Sequence, residues 1–164
     1  MLKITIALLS VLVACSTAFK YKNCGSNQAI RVNQLSLSPS SIHFPGQLRI
    51  SGSATINRPI NGNLEVKMDL KKKFLFWIKV PCVKGIGSCT HRNICDKLKL
   101  ISCPAGKQCR CPFSPGTINF DEVVNLPKIP TGLKILAKGS IKVKAMLREN
   151  GREIGCVEIE TSIK

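Results

Sequence analysis

The chain has 164 residues, with 25 Lys and Arg against nine Asp and Glu and a formal net charge of +16. That length suits one domain with its own core, and that charge points to anionic partners such as membrane surfaces, acidic glycolipids or nucleic acid. Nucleic acid is set aside, because no basic motif is interleaved with aromatics for stacking bases and the first residues direct the chain out of the cell.

Lys3 followed by the apolar run Ile4–Ala14 reads as the first two regions of a secretory leader, and Ser16-Thr17-Ala18 supplies small residues for cleavage before Phe19. Leu12-Val13-Ala14-Cys15 also has the form of a lipobox, the competing reading of the same segment. The run is shorter than the roughly 20 apolar residues a bilayer requires. The expectation is a signal peptide over 1–18, then a mature domain over 19–164 that is exported and either secreted or lysosomal. Without the leader, Lys3 and Cys15 are lost, leaving 24 basic residues and an even eight cysteines.

Along the mature chain the hydrophobic period is two, which marks half-buried antiparallel strands. Leu48, Ile50, Ala54 and Ile56 alternate with Arg49, Ser51, Ser53 and Thr55. Leu64, Val66, Met68 and Leu70 lie opposite Glu65, Lys67 and Asp69, and Ile141, Val143, Ala145 and Leu147 lie opposite Lys142, Lys144 and Met146. Val157, Ile159 and Ile163 close the series against Glu158 and Glu160. Asn150-Gly151 is a hairpin signal, because both residues accept the positive φ of a type I′ turn. These elements predict a single all-β sandwich or cup.

Two apolar stretches interrupt this order. FLFWIKV (Phe74–Val80) holds the only Trp, and ordinary core is its plain reading. VVNLPKIPTGLKIL (Val123–Leu136) contains two prolines and a glycine yet few polar residues, and such a loop suggests a contact with lipid or another protein.

Six cysteines fall between Cys82 and Cys111, in a loop segment with one short helix expected near Asn93 to Leu100. No C-x-x-C occurs, so paired zinc knuckles are not expected. In an exported chain these cysteines are read as disulfides, and spacing alone leaves about 105 pairings of eight. No metal site is expected. Neither His43 nor His91 sits in a nucleophile or metal constellation, and Gly85-Ile86-Gly87-Ser88-Cys89 lacks the last glycine of a nucleophile elbow. Asp121 and Glu122 are neighbours on one strand and so face opposite ways. No catalytic residue and no cofactor is expected.

The sequence F-W-I-K-V-P-C-x₆-C-T, then C-D-x-L, C-x-C-P-F and G-R-E-I-G-C-V-E-I, spread from Cys24 to Lys164, resembles the ganglioside-activator branch of the MD-2-related lipid-recognition (ML) superfamily. The resemblance implies a β-cup of two antiparallel sheets around an apolar lipid cavity, braced by a disulfide-linked loop. It also implies the pairs Cys24–Cys156, Cys82–Cys89, Cys95–Cys111 and Cys103–Cys109. The cavity would then be lined by Leu48, Ile50, Ile56, Leu64, Val66, Met68, Phe74, Phe76, Ile78, Val80, Ile141, Val143, Leu147, Val157 and Ile159. Leu126, Ile129, Pro130 and Leu133 would form a rim loop that inserts into the membrane or gates the opening.

In such a family the protein lifts a glycolipid, ganglioside or phospholipid from a membrane and presents it to a glycosidase or transfers it, with no chemistry of its own. The bound lipid is the only expected ligand, and the basic exterior would draw the cup to anionic membranes. Two features depart from the pattern. The rim segment IPTGLKI lacks the tryptophan seen in the family, leaving Ile129 and Leu133 to take its place, and no N-x-S/T sequon occurs. The alternative reading is a secreted cationic protein of membrane-active, defence or signalling type that reuses the same fold.

Overall fold

A computed structural model describes residues 19–26, 28–98 and 110–164. The leader and the Cys103–Cys109 pair lie outside the described residues. Among the described residues, ten strands run in order: β1 (Lys20–Asn23), β2 (Ile30–Ser38), β3 (Ser41–Ile42), β4 (Gly46–Ile56), β5 (Leu64–Lys73), β6 (Trp77–Lys79), β7 (Thr90–His91), β8 (Gly116–Leu126), β9 (Gly139–Glu149) and β10 (Arg152–Ile163). One short helix, α1 (Ile94–Leu98), follows β7, and a 3-10 turn (Thr131–Leu136) joins β8 to β9. The all-β expectation holds.

The strands form two sheets. One has the order β1-β10-β9-β5-β6, with β3 beside β10 and β7 beside β5; the other is β2-β4-β8. All main pairings are antiparallel, and only the short β3 runs parallel to β10. Asn150 and Gly151 both take positive φ in the β9–β10 hairpin, as the type I′ signal requires.

Two strands are hidden from a period-two reading. In β2 the register shifts between Val32 and Gln34, so the inward set moves from Ile30 and Val32 to Leu35 and Leu37. Gly52 sits opposite that bulge, where a Cβ would fall 2.1 Å from the Gln34 carbonyl oxygen. In β8 the pattern is inverted near its end: Glu122 shares a face with Ile50, and Val123 shares the outer face with Arg49. Val123–Leu126 is therefore the end of an edge strand, and the connecting loop begins only at Pro127.

Packing is concentrated at the two ends. Ala29, Ile56, Ile60, Leu64 and Ile154 make one buried cluster, with Ile94, Cys95, Cys111 and Phe113 against it. Leu70, Val80, Leu133, Leu136, Ile141 and Ile163 make the other, under the 3-10 turn. The sheets are sewn together along β1, β10 and β2. There the Asn23 amide donates to the Val32 carbonyl at 2.7 Å, and the Val32 N–H donates to the Asn23 side-chain oxygen at 2.9 Å. Beside the seam, the Cys24–Cys156 disulfide ties β1 to β10 within the larger sheet. Among the described residues no comparable seam joins β8 to β5 and β6.

Candidate functional site

Cross-strand partners in a sheet share a face, so the registers assign the inner wall. On the larger sheet, Val157, Ala145 and Met68 form one inward row and Ile159, Val143 and Leu70 the next. On the smaller sheet, Val32, Ala54 and Ile118 face them, followed by Leu35, Gly52 and Phe120, then Leu37 and Ile50. Interior apolar side chains are ordinarily close-packed and dry. Here Val66, Met68, Val143, Leu147, Val157 and Ile159 point between the sheets and remain only half-buried, as do Ile50 and Phe120 opposite them. Away from the seam along β1, β10 and β2, the sheets therefore stand apart at mid-height. The result is an apolar cup.

The remaining candidates divide by end. Leu48, Ile56, Leu64, Val80 and Ile141 are buried in the core. Phe74 and Phe76 lie at the tip of the β5–β6 hairpin, 51% and 66% exposed, around Leu75 at 95%. They do not line the inner wall, because the chain turns at Phe74–Phe76, where the Phe74 N–H donates to the Phe76 carbonyl. Ile78 shares the inward face with Lys72 but stands at the open edge and is partly exposed. Leu133, expected on the rim, is 0% exposed and packs into the core, with Ile129 against the same cluster. Leu126 and Pro130 are half-buried. The most exposed apolar side chains, Leu75 and Phe76, are thus at the hairpin tip, while Val123, Val124 and Ile135 of the second apolar stretch are exposed as well.

Lysines surround that tip. Lys142, Lys71 and Lys79 stand side by side on the outer face, and Lys73 pairs with Trp77. The ammonium groups of Lys142 and Lys73 lie 4.7 and 5.2 Å from the centre of the Trp77 ring, within cation–π range. Like charges in direct cross-strand register disfavour the fold; here Lys142 is offset by Glu160 at 3.6 Å and Glu158 at 4.0 Å.

Sequence reasoning missed Lys72. In KKK it looks like one of three surface lysines, yet the Leu64, Val66, Met68, Leu70 period continues onto it. The register places it inward beside Ile141, at 2% exposure. Its ammonium donates to the Lys138 carbonyl at the end of the 3-10 turn. Burial holds its pKa below the ordinary lysine value.

At the opposite end Glu149 is fully engaged. It accepts the Asn61 and Gly62 N–H groups at 2.9 Å each and pairs with Arg58 at 2.7 Å. The Gly62 N–H bond is the main cause of a carboxyl pKa below its ordinary value, with Arg58 and the Asn61 N–H adding to it against desolvation.

Disulfides join Cys82 to Cys89 beside β6, and Cys95 in α1 to Cys111 below the far cluster. Among the described residues, no three His, Cys, Asp or Glu side chains come together as a metal site. No described helix is long and apolar enough to cross a membrane.

Residues 18–163 match the profile of the ML domain. The chain belongs to the ML domain family. It is 30% identical over 162 residues to a ganglioside GM2 activator of Mus musculus, covering 89% of this chain and 82% of the relative. It is 31% identical over 163 residues to one of Macaca fascicularis, covering 90% and 84%. Among solved structures, a Niemann-Pick type C2 protein from the Japanese carpenter ant superposes with a TM-score of 0.56 at 18% identity, covering 88% of this chain and 99% of that one. That likeness speaks to the ML fold alone.

Proposed function

We propose that this chain is a non-enzymatic lipid-binding and transfer protein, which takes the hydrocarbon of a glycolipid or phospholipid from a membrane into the cup. The observation that carries the reading is the half-buried inner wall, where Val66, Met68, Val157 and Ile159 face between sheets that do not close on them. Each methylene moved from water to such a wall is worth about 0.8 kcal/mol, so an acyl chain of ordinary length has a strong reason to stay. Membership of the ML family and the two activator relatives support the same reading.

The approach to the membrane follows from the hairpin tip. Phe74, Leu75 and Phe76 enter the interface, while Lys71, Lys73, Lys79 and Lys142 remain at head-group level and contribute about 1 kcal/mol each on an anionic surface. On the pattern of the activator relatives, a ganglioside held with its sugars outside would be presented to a glycosidase, in an extracellular or lysosomal setting. The lipid itself is the only ligand the mechanism requires, and the protein performs no bond chemistry and uses no cofactor.

The test is transfer of labelled ganglioside and labelled phospholipid between vesicles by the purified mature protein. Stoichiometric uptake and transfer are expected. Transfer no better than that of a serum-albumin control overturns the reading, and dye leakage without lipid uptake would favour the membrane-active alternative.

A further inference from the structure

The buried cation of the cup has no use in the transfer function as stated. Lys72 lies on the inward face of β5, one step beyond Leu70. It is 2% exposed, and its one recorded acceptor is the neutral main-chain carbonyl of Lys138. An ammonium carries three donors, so two remain for a ligand. The neighbours sharing its inward rows, Ile78 on β6, Ile141 on β9 and Thr161 on β10, carry no ionisable group, and Lys138 offers its carbonyl. The acidic side chains on the inward registers lie elsewhere: Glu122 is at the exposed edge of β8, and Glu149 is bound to Arg58 at the far end.

The site is also shaped. Gly139 follows Lys138 with φ +106, and a Cβ there would fall 2.6 Å from the Lys72 Nζ. The ammonium therefore packs against the backbone of that glycine, an approach that a side chain at 139 would block. A buried charge without a counter-ion is strongly disfavoured, and a ligand that brings one negative charge removes the penalty.

We infer that the Lys72 ammonium binds the carboxylate of a fatty acid whose chain lies along the half-buried inner wall. Charge matching selects a carboxylate over a phosphate monoester, which carries about −1.5 to −2 and would leave excess negative charge in a dry site. The burial of Lys72 selects a fatty acid over the carboxylate of a sialylated sugar, which is bulky and hydrated. The inference rests on the lipid-binding reading and adds a head-group site to it.

The experiment compares oleate, methyl oleate, oleoyl lysophosphatidate and a ganglioside with the wild type, Lys72→Met and Lys72→Arg, by displacement of a fluorescent lipid. The wild type should bind oleate more tightly than either oleoyl analogue. Lys72→Met should lose about 10- to 100-fold for oleate while holding methyl oleate unchanged, and Lys72→Arg should recover part of the loss. Equal losses for oleate and methyl oleate would assign Lys72 only to holding the 3-10 turn and overturn the proposal. A loss confined to ganglioside would move the carboxylate to the sugar and overturn the fatty-acid assignment. If no lipid binds the wild type, the lipid-binding reading fails instead.

The wild type alone gives a second reading that does not depend on the variants folding. The carboxyl of bound [1-13C]oleate should titrate at lower pH than in phosphatidylcholine vesicles, because a neighbouring cation favours the ionised form. An equal or higher midpoint would overturn the proposal.

Discussion

At one end of the cup, Ile56, Ile60, Leu64 and Ile154 pack dry, Glu149 ties the β4–β5 connection to the β9–β10 hairpin, and two disulfides lie close by. At the other, Leu133 and Leu136 close over Leu70 and Ile141, but a buried ammonium bonded to a neutral carbonyl lies beside them and an apolar hairpin tip stands in solvent. The first end is held by close packing, disulfides and the Glu149 hydrogen bonds, as a structural base is. The second keeps a buried cation and an exposed apolar tip, which the proposed fatty acid and membrane surface would partner. Stability and function are thus divided along the length of the strands, and substitutions should separate them.

The largest stability effect should come from the base. Cys24 and Cys156 are 132 positions apart and join β1 to β10. Replacing both with Ala frees a long loop in the unfolded chain, a loss of about 4–5 kcal/mol on the loop-entropy scale, read as a lower midpoint in guanidinium unfolding. Ile60→Ala should follow. The side chain is 1% exposed, and removing it leaves a cavity costing about 2–5 kcal/mol. Lipid transfer measured well below the unfolding midpoint should be unchanged, since Ile60 lies in the dry cluster. A transfer defect in a folded Ile60→Ala protein would mean that the inner wall extends to the base.

Glu149→Gln probes the same end through pH. The Glu149 carboxyl titrates below its ordinary value of 4.5, so its ionised form favours the folded state. That contribution is complete above the ordinary value and is lost as pH falls through the depressed folded one. The glutamine variant should be less stable by about 1.5–3 kcal/mol near neutral pH. The difference should shrink on acidification, measured as urea unfolding from pH 7 to pH 3. A constant difference across that range would show that the Gly62 and Asn61 bonds hold whether or not the group is charged.

The base was easier to read from sequence than the working end. Strands β4, β5, β9 and the end of β10 announce themselves because one face is apolar and the other charged. The exceptions have local causes. A bulge divides β2, and an inward Glu122 with an outward Val123 disguises the end of β8. At the working end, residue type misleads. Lys72 is inward although it is a lysine, while Phe74 and Phe76 are outward although they are aromatic. Periodicity carried on from Leu70 finds Lys72. No periodicity marks a hairpin tip, because the alternation stops where the chain turns.

That last difference yields the smallest stability effect and the sharpest functional one. Leu75 is 95% exposed at the tip, whereas Leu133, the rim residue expected to meet the membrane, is fully enclosed. Leu75→Asp should change folding stability by no more than about 0.5 kcal/mol. It should also abolish the transfer of a leucine side chain into the bilayer, worth about 1.5–3 kcal/mol or a 10- to 100-fold loss of vesicle affinity. Leu133→Ala should do the reverse, lowering the unfolding midpoint while the folded fraction still binds vesicles. Cosedimentation with vesicles containing phosphatidylserine measures both. If Leu75→Asp binds as well as wild type and Leu133→Ala does not, the proline-rich segment opens at the surface to meet lipid, and the assignment of the tip as the membrane contact is wrong.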